Sequence, residues 1–159
     1  MQWELITNII LLTSFAIFTV FGILGLCQWH KSKSLKKVDK ELLLAIIPFS
    51  LMLVTYVIFD KFFILNTRPN GSGEPSFPST HTMVVATIFF ITAIILPKYI
   101  KSKTACAILD SMMLILLILV CVGRVLANMH WVSDVIGGLI FAVIFTTIYY
   151  LIIRRYKNG

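Results

Sequence analysis

Short polar segments divide this chain into five long apolar runs. The first, Leu5 to Leu26, has 22 residues, enough at 1.5 Å per residue to cross a hydrocarbon core of about 30 Å. Glu4 marks its start. Met1 to Glu4 carries neither Lys nor Arg, so the segment reads as a retained helix and not as a cleaved leader. The second run covers residues 42–65, with Pro48 one to two turns in, where it kinks the helix or sits near its start. Residues 80–96, 105–122 and 135–153 supply the other three, and Ser79 or Thr80 is a natural N-cap for the third. The pattern predicts an all-α, polytopic transmembrane helical bundle of five spans, one integral-membrane domain over residues 1–159.

The polar segments add an orientation. Lys31, Lys33, Lys36, Lys37 and Lys40 fall in the first, Lys98, Lys101 and Lys103 in the third, and Arg154, Arg155 and Lys157 in the tail. Five spans bring these three segments to one side. The positive-inside tendency makes that side cytoplasmic, with the N-terminus outside and the C-terminus inside the cytoplasmic membrane. The remaining three of the 14 basic residues, Lys61, Arg68 and Arg124, fall on the outer side, where topology does not call for them.

Composition narrows the class further. At 58% hydrophobic the chain is too apolar for a soluble domain of its length. The net charge of +7 is not arranged as a basic run interleaved with aromatics, so anionic membrane lipid is the expected partner and nucleic acid is not. Cys27, Cys106 and Cys121 have no CxxC or Cys/His spacing, which argues against a disulfide framework or zinc. His30 reads as an interfacial side chain. Asp110, inside the fourth run, is expected to pair with a nearby Lys at the cytoplasmic interface or else to serve a function at depth.

Candidate chemistry lies in two outer polar islands. Gly123 to Asp134, GRVLANMHWVSD, holds Arg124, His130 and Asp134. If the chain after Ala127 is helical, His130 and Asp134 share a face, and the carboxylate orients one ring nitrogen while the other is free to react. Taken alone, such an island also fits a loop that merely marks the water boundary. The second island, residues 61–81, changes that balance. Lys61 and Arg68 lie two helical turns apart and point the same way if the helix runs to Thr67 before Pro69 ends it. With Arg124 they would form a cradle for phosphate. Ser79 and the first amides of the third helix add an anion site, and His81 stands close enough to protonate a leaving oxygen.

Lys61 to Pro69 reads K-x6-R-P, Pro78 to His81 reads P-S-T-H, and Arg124 to Asp134 reads R-x5-H-x3-D. This ordered set resembles the tripartite signature of the type 2 phosphatidic acid phosphatase superfamily, across roughly the last two thirds of the chain. The resemblance implies a lipid phosphatase in which His130 is the nucleophile of a phosphohistidine intermediate, oriented by Asp134, and His81 protonates the leaving group. It implies that Lys61, Arg68, Arg124, Ser79 and the amide of Thr80 hold the phosphate oxygens, with no metal and no cofactor. Two positions depart from the pattern: Thr80 stands where the family usually has Gly, and Gly123 where it usually has Ser. Many membrane members also have six helices, and five are predicted here. The substrate expected first is undecaprenyl pyrophosphate, on the outer face. Phosphatidylglycerophosphate, phosphatidic acid and lipid A phosphates are alternatives, and nothing in the sequence specifies an oligomeric state. A non-catalytic lipid-phosphate binder would need the cationic cradle but neither histidine.

Overall fold

A computed structural model describes residues 2–158. Its helices are α1 (Gln2–Ser32), α2 (Lys40–Leu44), α3 (Ile46–Val57), α4 (Thr80–Tyr99), α5 (Lys103–Leu126) and α6 (Val132–Asn158). α2, α3 and a π-helical turn at Ile58–Phe62 stack into one segment, so five segments are long and apolar enough to cross a membrane. The protein is an all-helical, multi-pass membrane protein, as the apolar pattern predicts.

α4 is the central helix. It packs against α6, α5, α1 and α3, and Met83, Val85 and Ala86 within it are fully buried. The outer faces of α1, α3 and α5 instead expose Leu12, Leu53, Leu114 and similar side chains, which suits hydrocarbon and not water. A helix surrounded by other helices keeps its place, and α4 carries residues of the second island at its first turn.

The helix limits differ from the apolar runs at several ends. α1 continues through His30 to Ser32, past the expected end at residue 26. The second span breaks at Ala45, because Pro48 has no N–H for the Leu44 carbonyl and its ring crowds that group. It then ends at Phe62, where the Phe63 amide donates to the Ile58 carbonyl at 3.0 Å, short of the expected residue 65. α4 runs through Pro97 to Tyr99, so the third Lys segment starts later than predicted.

The lysine-bearing end is tied by a polar clamp. Lys98 bridges Asp39 at 2.6 Å and Glu41 at 2.7 Å, and Lys157 reaches Glu41 at 3.1 Å. The Tyr149 hydroxyl donates to the Glu41 carbonyl. Burial acts to raise the Asp39 carboxyl, but hydrogen bonds from Lys98, Tyr99 and Gln28 outweigh it and hold the group at about 2. Asp110 does not behave as expected: among the described residues it forms no ion pair, and its Oδ1 is buried without a hydrogen-bond partner.

Candidate active site

The site lies at the opposite end of the bundle, where α5 ends and α4 and α6 begin. α5 stops because Asn128 takes a left-handed conformation, φ 52°, which asparagine tolerates as a helix terminator. The chain turns back, and the amides of Met129 and His130 both donate to the Arg124 carbonyl, at 3.2 and 3.3 Å. The spacing R-x5-H is therefore the length of this turn. His130 does not lie in a helix, which corrects the expectation that it shares a helical face with Asp134.

The contacts of His130 fix its tautomer. Nδ1 lies 2.8 Å from the Ser76 carbonyl, which only accepts, so Nδ1 carries the proton. Nε2 faces Arg124 Nη2 at 3.3 Å, and a guanidinium only donates. The Nε2 lone pair thus points toward the cation. Burial first, and the Arg124 charge second, push the imidazole from its ordinary 6.5 to about 4. At neutral pH the ring is a free base.

Asp134 acts on this ring less directly than expected. Its Oδ2 lies 3.8 Å from Nδ1, beyond hydrogen-bond reach. The same oxygen accepts from the Trp131 amide at 2.8 Å, and Oδ1 accepts from Asn66 Nδ2 at 3.0 Å. Asp134 is the third residue of α6 and reaches back to the residue before the helix, one half of a capping box. It shapes the turn that holds His130, while the Ser76 carbonyl holds the ring itself. Ser76 carried no readable signal, since a carbonyl acceptor is available at any residue.

Arg124 is 2% exposed, has no carboxylate partner within 4 Å among the described residues, and keeps Nε without a hydrogen bond. A buried guanidinium left so is costly unless an anion joins it. Arg68 reaches the site from the loop rather than from a continued helix: an isolated bridge between Thr67 and Pro75 closes this loop, and Arg68 pairs with Glu74 at 2.8 Å. Its Nε is also buried and unpartnered. A cavity of about 80 Å³ lies among Asp60, Arg68, Ser76, Thr80 and His130.

Two expected site residues, Lys61 and Ser79, are placed differently. Lys61 does not join Arg68. With the helix ended at Phe62, its side chain is 71% exposed and its ammonium pairs with Asp60 at 2.8 Å at the rim. Ser79 is fully buried, and its hydroxyl shares a hydrogen bond with Thr82 Oγ1 at 3.1 Å, away from the cavity. Thr80 is the first residue of α4, a helical position that needs no glycine, so the departure from the family motif introduces no backbone strain. The amides of Thr80, His81 and Thr82 are first-turn donors without intrahelical acceptors.

His81 Nε2 lies 2.8 Å from Asn8 Oδ1 of α1. Asn8 lies inside the first apolar run, where an amide in a membrane helix is itself a signal of function or packing. α1 also comes close at Gly123, where a Cβ would lie 2.7 Å from Thr7 Cγ2. The side chain of Thr7 occupies the place where the family's serine would project.

The family model of the PAP2 superfamily matches residues 58–157. The chain belongs to the PAP2 superfamily. The matched region contains all three motifs and every site residue except Asn8. A lipid A 1-phosphatase of Rhizobium johnstonii is 34% identical over 84 residues, which cover 53% of this chain and 30% of that protein's length. A transmembrane PAP2-type phosphatidylglycerolphosphate phosphatase from Bacillus subtilis has the same fold, with a TM-score of 0.69 and 18% identity over 97% of this chain and 85% of that one. The fold therefore extends beyond the family match to α1, which brings Asn8 to the site.

Proposed function

We propose that this protein is a lipid phosphatase that acts through a phosphohistidine on His130. The observation that carries the reading is the pairing of a buried, unneutralised Arg124 with the unprotonated Nε2 of His130. One recognises an anion and the other attacks it. Nε2 forms a bond to phosphorus as the bond to the lipid oxygen breaks, and His81 delivers a proton to that oxygen. Water then attacks the phosphohistidine with His81 as base, releasing phosphate and restoring both rings.

Arg68, Arg124 and the first amides of α4 would bear the charge on the three non-bridging oxygens. Lys61 enters as a rim cation, reaching an anion only by leaving Asp60. Ser79 would support the first turn through Thr82 instead of touching phosphate. Charge stabilisation from these groups requires no metal ion. A pure binder would need the cations alone, and a free-base His130 beside Arg124 favours catalysis.

The eleven bases at the opposite end of the bundle support an orientation with the site on the extracytoplasmic face and the C-terminus in the cytoplasm. That face suits undecaprenyl pyrophosphate, the substrate we place first; lipid A phosphates, phosphatidylglycerophosphate and phosphatidic acid share the phosphate chemistry. The test is phosphate release from each of these lipids by purified protein and by His130→Ala. Release from at least one, abolished by the substitution, is expected. Phosphate release by His130→Ala at the native rate would refute the mechanism, and binding without release would leave only the binder.

A further inference from the structure

A second concavity is remote from the catalytic end. It is an apolar groove of about 460 Å³ between α1 and the α2–α3 segment, floored by Ile88, Ile91 and Ile95 of α4. Gly22 and Gly25 of α1 line it, and a Cβ at Gly22 would meet nothing within 4 Å. At the mid-membrane end the Phe18 and Phe49 rings meet with centroids 4.3 Å apart. At the other end the groove opens past Leu35, Val38 and Leu43.

These same residues continue into a polar hollow. Leu35 and Leu43 also line a second cavity bounded by Lys36, Lys40 and Tyr156, and Val38 lines a third with Lys36 and Lys37. The two carboxylates here, Asp39 and Glu41, are already taken by Lys98 and Lys157. Lys36 and Lys37 form no ion pair among the described residues, and Lys40 lies 3.5 Å from the Tyr156 ring centroid. An apolar slot thus ends in an uncompensated cationic rim.

We propose that this groove and rim bind one anionic diacyl phospholipid from the leaflet on the lysine side, separate from the substrate. Length supports the assignment: Phe18 to Trp29 spans about 16 Å along α1, close to half of a hydrocarbon core of about 30 Å. One acyl chain therefore fills the slot from headgroup to mid-membrane. The Phe18–Phe49 contact closes the slot at that depth, which separates it from lipid chains descending from the catalytic side. The phosphodiester lies at Lys36 and Lys40, where each lysine near an anionic lipid contributes favourably. A zwitterionic lipid of the same chains fills the slot but gains little from the rim.

Native mass spectrometry of the purified full chain tests this, with phosphatidylglycerol and phosphatidylcholine of identical acyl chains as probes. Retention of phosphatidylglycerol is expected to exceed that of phosphatidylcholine by at least about tenfold. Gly22→Leu should fill the slot and weaken phosphatidylglycerol retention by about tenfold or more. The double variant Lys36→Gln/Lys40→Gln should reduce phosphatidylglycerol to the level of phosphatidylcholine. Either variant decides the matter provided it elutes as a single species with native helix content. Equal retention of the two lipids by the unaltered chain, or undiminished retention in either folded variant, would overturn the proposal. Displacement of the lipid by millimolar inorganic phosphate would also overturn it, since the rim would then be a free-anion site.

Discussion

Gly138→Ala should impair catalysis without touching any reacting group. A Cβ at Gly138 lies 2.8 Å from the Ser79 carbonyl, 3.2 Å from the Met83 amide and 3.3 Å from Thr82 Cβ. These atoms belong to the first turn of α4, and most are backbone, so no side chain can turn aside. Ordinary contact begins near 3.4 Å, so α4 and α6 must part by about 0.6 Å. Overpacking of this kind costs about 1–3 kcal/mol of stability. The catalytic effect is larger in consequence, because α4 carries His81 and the phosphate-facing amides while α6 anchors the His130 turn through Asp134. A displacement near 1 Å costs on the order of a hundredfold in rate, so kcat should fall roughly ten- to a hundredfold, more than KM changes. The assay is phosphate release from a detergent-solubilised lipid phosphate, with Ile140→Ala on the exposed face of α6 as a control expected to match the unaltered protein. A folded Gly138→Ala protein with native kcat would refute the view that this helix contact sets the catalytic geometry.

Asn8→Leu removes the acceptor for His81 and should lower kcat about tenfold on a lipid ester, but much less on an aryl phosphate, whose leaving group needs little protonation; an equal loss on both would deny Asn8 a role through His81. The lowered pKa of His130 predicts that carbethoxylation of this residue, followed by peptide mass spectrometry, stays constant as pH falls from 7 to about 5 and declines only toward 4. The sign follows from the free base being the reactive form, and a midpoint near 6.5 would contradict the burial and Arg124 effects. In a background lacking Cys27, Cys106 and Cys121, Ser72→Cys should react in intact cells with an impermeant thiol reagent and Lys37→Cys should not. Ser72 is the better position because its neighbours Gly71 and Gly73 have φ of 77° and 74°, which cysteine tolerates poorly. The reverse labelling would move the site to the cytoplasmic face. Chelators should leave turnover unchanged and vanadate should inhibit it, whereas activity lost to chelator and restored by a divalent ion would contradict charge stabilisation by the arginines and the α4 amides.

The five spans were legible because each is a long apolar run, and hydrocarbon rejects an unpaired backbone whatever the tertiary packing. Their ends were not, since a proline can sit inside a last turn, as Pro97 does, and an apolar tail such as Phe63–Leu65 need not be helical. The motifs pointed to Arg68, Arg124, His81 and His130 because charged and imidazole side chains stand out between apolar runs, and the structure places Arg124 beside His130 and Arg68 on the same cavity. The partners that aim them were hidden for different reasons. The Ser76 carbonyl is invisible in any sequence, and the reach of Asn8 to His81 depends on how α1 packs against α4. Lys61 was misplaced because its register with Arg68 assumed a helix that the π-turn at Ile58–Phe62 ends. Spacing and the resemblance both assign Asp134 to the ring, whereas its first contact is the amide of Trp131.

Rapid acid-free quenching of a reaction with phosphorus-labelled lipid phosphate, followed by mapping of the modified peptide, tests the central claim most directly. The account predicts label on His130 and specifically on Nε2, because Nδ1 is committed to the Ser76 carbonyl. Label on Nδ1, on another residue, or on the His130→Ala protein during sustained turnover would contradict it.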